Sequence, residues 1–108
     1  MYIGWMHAFA VLAEPRRRAI LSLVRTEPLP ASDIARQFPE ITQQAVSLHL
    51  KVLEEAGLVD VHPTGRQRVY SLRPEGLQPI RDYLEELWPA RLQKLKQAVE
   101  QELLDEIG

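Results

Sequence analysis

The side chains with most to offer chemically fall in two runs. Gln43, Gln44, Ser47, Leu48 and Lys51 recur at helical intervals, and Arg66 and Arg68 flank Gln67 further along. A glutamine amide donates and accepts at once, so it can pair bidentately with an adenine edge. A serine hydroxyl bonds a base or a phosphate, a leucine can meet a thymine methyl, and lysine or arginine holds phosphates. No acid lies between Asp60 and the two arginines, so their charge has no neutralising neighbour in sequence. Each run also has a plain reading, as the polar side of an amphipathic helix and as an ordinary solvated loop. The elements that carry the runs must decide.

Those elements are well punctuated. Ser32 to Phe38 reads as a short helix that ends against Pro39, whose ring disfavours helix at the residue before it. Thr42 opens a second helix with a hydroxyl suited to capping, and Ile41 and Val46 occupy the two positions of a hydrophobic staple. Val46, Leu50 and Leu53 form a stripe at helical spacing, which turns the glutamines, Ser47, Leu48 and Lys51 away from the core. Gly57 supplies the left-handed stop. Leu58 to His62 then alternates as a strand, Pro63-Thr64-Gly65 marks a turn, and Arg68 to Leu72 alternates again. The pattern predicts a mainly α fold with a small β-hairpin, a winged helix-turn-helix whose second helix fits the major groove of DNA. Arg66 and Arg68 on the wing suit phosphates or a narrow minor groove.

With those residues in order, the chain resembles the ArsR family of bacterial winged-helix transcriptional regulators. The resemblance rests on residues 12–21 (LAEPRRRAIL), 44–53 (QAVSLHLKVL), 56–59 (AGLV) and 65–72 (GRQRVYSL), and it spans about Phe9 to Trp88. It implies a homodimeric repressor that binds double-stranded DNA at an inverted-repeat operator and often controls its own operon. It also assigns base and phosphate contacts to Gln43, Gln44, Ser47 and Leu48, and wing contacts to Arg66 and Arg68. Thr42 and Lys51 complete the expected DNA-binding set. Many members of that family sense metals through a cysteine pair or through aspartate and histidines on the last helix. This chain has no cysteine, and its last segment carries Asp82 beside Tyr83 and Leu84 with no histidine. His7, His49 and His62 fall in three different elements. The expectation is therefore the branch without a metal-sensing site, with no metal and no cofactor. Glu14 stands where the family usually has aspartate before the proline, a weaker cap.

Composition fits this expectation. At 108 residues with 45% hydrophobic content, the chain is long enough for one compact domain. A DNA-reading core over about 9–73 and a dimerisation arm over about 77–107 are expected. The absence of cysteine suits the cytoplasm, and neither a secretion leader nor a membrane span is expected. The net charge is −2, an awkward value for a DNA binder. Residues 1–73 carry nine basic and seven acidic side chains, whereas residues 74–108 carry four and eight. The acidity thus belongs to the arm.

Upstream, Tyr2, Ile3, Trp5, Phe9 and Leu12 suggest a short helix, and Pro15 opens another that runs to about Arg25 with Ile20, Leu21 and Val24 inward. Arg16, Arg17 and Arg18 crowd its positive end. They read either as contacts to the DNA backbone or, preferred here, as partners for acids of the arm. Downstream, Leu77, Ile80, Leu84, Trp88, Leu92, Leu95, Val99, Leu103 and Ile107 mark a long amphipathic helix. It is too long for so small a body to cover, so Leu84, Trp88, Leu92, Leu95 and Val99 are expected to join a second copy. Pro89 must kink that helix or start a new one. Enzyme function fares poorly, because Ser47 and His49 point to different sides of one helix and no glycine loop or ligand cluster exists. A winged helix used only for protein contact, or a repressor answering an unidentified small molecule, remains as the alternative.

Overall fold

The computed structural model describes residues 4–107, with the side chain of Ile107 excepted. Tyr2 and Ile3, expected in the first helix, lie outside them. The order is α1 (Gly4–Leu12), α2 (Pro15–Thr26), β1 (Leu29–Pro30), α3 (Ala31–Arg36), α4 (Gln43–Glu55), β2 (Val59–Thr64), β3 (Gln67–Leu72), a 3₁₀ turn (Pro74–Leu77), α5 (Gln78–Leu87) and α6 (Ala90–Ile107). The fold is mainly helical, with one antiparallel sheet of strand order β1-β3-β2.

The hairpin expected from sequence is present, and a third strand was missed. Leu29 and Pro30 pair with Tyr70 and Val69, a two-residue strand too short to show any alternation. The turn also moves. Pro63 and Thr64 continue β2, Thr64 pairs with Gln67, and the loop is Gly65-Arg66. Gly65 has φ +63° and no other residue type among those described has positive φ, as a two-residue type II′ connection requires. Pro63 is tolerated because β2 is an edge strand.

The core gathers Ile20, Leu21 and Val24 of α2, Ile34 of α3, Val46, Leu50 and Leu53 of α4, Leu58, Val59 and Tyr70, with Phe38. Phe38 belongs to the turn rather than to α3, which ends at Arg36; its ring is buried beneath the turn instead. Gly57, at φ +73°, ends α4 in a Schellman arrangement: Leu58 N donates to Leu53 O and Gly57 N to Glu54 O. Leu58 and Leu53, the apolar pair of that motif, are both fully buried.

The same corner holds the C-terminal arm. Arg73 N donates to Leu58 O at 2.9 Å, and Gly76 passes so close that a Cβ there would collide with the carbonyl oxygen of Gly57. Beyond it the arm is two helices rather than one. Trp88 turns extended (ψ 116°) ahead of Pro89, and α6 starts afresh at Ala90. α5 packs on α1 through a stack of Trp5 on Tyr83, ring centroids 4.1 Å apart, with Phe9 edge-on to both.

Gly76→Ala is expected to lower stability by about 1–3 kcal/mol through backbone overpacking, read as a fall in urea midpoint. An unchanged midpoint would mean that the arm does not dock on the stop of α4.

Candidate nucleic-acid interface

Three side chains decide which side of α4 faces the core. Val46, Leu50 and Leu53 are no more than 2% exposed, which leaves the opposite side of α4 to solvent. Gln43, Gln44, Ser47, Leu48 and Lys51 line one shallow depression there. Leu48 is 64% exposed, an apolar side chain held out in water. The side chains of Gln43, Gln44, Ser47 and Lys51 make no hydrogen bond or ion pair among the described residues, so their donors and acceptors are open to a partner. Thr42 serves the helix, since its Oγ1 accepts from Ala45 N at 3.1 Å.

The two wing arginines part company. Arg66 sits in the loop, exposed and unpaired among the described residues. Arg68, expected at the tip without an acid nearby, is the second residue of β3 and opposes Pro63. Its Nε donates to the Tyr70 hydroxyl at 3.4 Å and its Nη2 meets Glu54 Oε2 of α4 at 3.2 Å; Tyr70 first and then Glu54 strengthen the guanidinium's hold on its proton. The acid came from a helix far back in sequence, which local charge reading does not reach. Arg68 thus fastens the wing to the last turn of α4 and leaves Arg66 as the free cation of the two.

The arginine cluster of α2 also differs from expectation. Among the described residues none of the three makes an ion pair with an acid of the arm. Arg18 Nη1 donates to Leu12 O and Ala13 O at 2.7 and 3.2 Å, and Arg17 Nη1 to Val11 O at 3.1 Å. These cations serve the negative end of α1, which offsets their place at the positive end of α2. Arg16 pairs with Glu40 in the turn between α3 and α4, at 3.7 Å. Glu14 caps α2 after all, accepting from Arg16 N at 3.1 Å.

Known proteins resemble the chain in sequence and in fold. A helix-turn-helix domain family matches residues 12–62. The chain is 40% identical over 95 residues to the HTH-type transcriptional regulator Rv2034 of Mycobacterium tuberculosis, covering 88% of each. Among solved structures, an ArsR-like transcriptional regulator from Rhodococcus superposes with a TM-score of 0.68 at 28% identity, covering 91% of both chains. The chain belongs to the ArsR family of winged helix-turn-helix transcriptional regulators. A further relative, the transcriptional repressor SdpR of Bacillus subtilis, is 35% identical over 72 residues, which cover 67% of this chain and 79% of SdpR. As an ArsR-family protein it is a regulator and not an enzyme, and α3 and α4 are the two helices of its DNA-binding motif. No helix among the described residues is long and apolar enough to cross a membrane.

Thr42→Ala is expected to cost about 1 kcal/mol by removing the cap of α4, measured by chemical denaturation. A loss indistinguishable from zero would show that the hydroxyl does not hold the start of the reading helix.

Proposed function

We propose that this ArsR-family chain is a homodimeric repressor that acts in the cytoplasm without a metal and reads an inverted-repeat operator. Gln43, Gln44, Ser47 and Leu48 face the bases, and Lys51 and Arg66 hold phosphates. Thr42 stands at the groove wall through the helix it caps, and Arg68 supports the wing from Glu54. The observation that carries the reading is the set of unengaged polar side chains around an exposed leucine on α4. Hydrogen-bonding groups left open around one methyl-bearing side chain match the mixture of donors, acceptors and thymine methyls that base edges present in the major groove. Repression is favoured over activation by the likeness to SdpR.

A second copy is supported by the arm. Every described side chain of α6 from Ala90 to Glu106 is exposed within one chain, Leu92, Leu95 and Val99 included, as are Leu84 and Leu87 of α5 and Trp88 between the two helices. Monomeric proteins rarely leave so long an apolar run in water. A two-fold pairing of arms covers it and also doubles the modest basic charge of the reading core, with the acids of the arm turned away from DNA.

Two outcomes test this. Leu95→Glu with Val99→Glu is expected to give monomers in sedimentation at micromolar concentration, and a persistent dimer would move the interface elsewhere. Gln44→Ala or Leu48→Ala should cost roughly 1–3 kcal/mol of discrimination between a selected site and its base-substituted versions. Arg66→Ala should instead weaken all duplexes alike and flatten the salt dependence. Loss of base preference on replacing Arg66, with none on replacing Gln44 or Leu48, would refute the assignment.

A further inference from the structure

One guanidinium in the molecule reaches three helices. Arg17, in the first turn of α2, donates from Nη1 to Val11 O at the end of α1. From Nε it donates to Nδ1 of His49 on α4, at 3.3 Å and across 32 residues of sequence. Arg17 and His49 are both half-buried. His49 occupies the flank of α4, between the buried stripe and the outward face. Val46, Leu50 and Leu53 set which side of α4 faces the core, with Val52 and Ala56 partly buried beside them, but apolar contact is non-directional and opposes small rolls about the helix axis weakly. A directional bond at the flank supplies that resistance.

We propose that Arg17 is a positioning residue for DNA reading, which fixes the roll of α4 by tying His49 to the carbonyl end of α1. The inference rests on α4 being the reading helix. Its consequence reaches further than one helix. α1 is stacked on α5 through Trp5 and Tyr83, and α5 leads into the arm proposed to join two copies. The path from His49 through Arg17 to α1 and α5 therefore sets the angle between the reading face and the two-fold axis. That angle decides whether both copies can seat in one duplex.

The chemistry of the pair gives the inference a second handle. Nδ1 acts as acceptor, so the ring must be neutral with its hydrogen on Nε2. Protonation would convert the acceptor to a donor and set a cation against Arg17. Burial, then Arg17, with Arg16 adding to it, holds the imidazole below its ordinary 6.5 against the opposing pull of Glu14. The folded chain thus takes this proton less readily than the unfolded chain. The contribution of the pair is complete above pH 6.5 and is lost as pH falls through the lowered value.

The test uses the full chain and a duplex that the wild type enriches from a random pool, with a scrambled duplex as control. Arg17→Lys keeps the charge but cannot present the planar fork to both partners. It is expected to remain folded and dimeric, to bind the scrambled duplex as wild type does, and to bind the selected duplex about tenfold more weakly, as suits one lost charge-assisted hydrogen bond. His49→Asn supplies an acceptor near Nδ1 that does not titrate. It should retain selective binding at neutral pH, whereas the wild type is expected to lose selectivity as the pH falls below the ordinary imidazole value of 6.5 and the asparagine variant is not. An Arg17→Lys chain as selective as wild type, or one weakened equally on both duplexes, overturns the proposal alone. A wild type that enriches no sequence removes the DNA reading itself, and this proposal with it.

Discussion

Everything outward on this molecule is set by what α4 must hide. Val46, Leu50 and Leu53 lie on one line of the helix and meet Ile20, Val24, Ile34 and Leu58 in the core. Each such burial is worth roughly 1.5–3 kcal/mol. A half-turn of the helix would forfeit most of that in order to cover Leu48 alone. The exposed leucine and the open amides beside it are thus a consequence of the stripe, and their availability to DNA costs the fold little. Packing fixes which residues of α4 stand outward, and those polar residues can vary in identity without disturbing the core.

The end of the same helix governs the arm. Gly57 reverses the chain so that Leu58 returns to the core, and the reversal exposes backbone against which Arg73 and Gly76 can close. The arm is consequently anchored beside the reading helix before it leaves the body. Arg68 adds a second tie from the wing to the last turn of α4, and Arg17 a third from α1. A surface salt bridge such as Arg68–Glu54 contributes little to stability. Its effect is better sought in where the wing points than in how firmly the chain folds.

Much of this was legible in the sequence where the cause is local. Thr42 as cap, Gly57 as stop, Pro15 as the first helical residue and the stripe on α4 follow from short-range rules, and each holds in the fold. The break at Pro89 was legible as a choice between kink and restart, and the extended backbone of Trp88 decides for restart. What escaped depends on distant partners. Leu29 and Pro30 become a strand only because β3 passes alongside, and Arg68 loses its freedom to an acid of α4. The arginines of α2 were matched with the wrong partners for a related reason. The carbonyls that end a preceding helix carry no formal charge, so a reading of side-chain charges overlooks them.

The proposed dimer, two copies joined through their arms, should hold its two α4 helices one DNA turn apart. Because the chain has no cysteine, Gln43→Cys provides a single label site at the head of the reading helix. The pair distance between spin labels in the free protein tests the claim without knowledge of any operator. The account predicts a defined distribution centred on the order of 34 Å, the repeat of the duplex. No dipolar signal at micromolar concentration, or a defined distance far from that repeat, would contradict it.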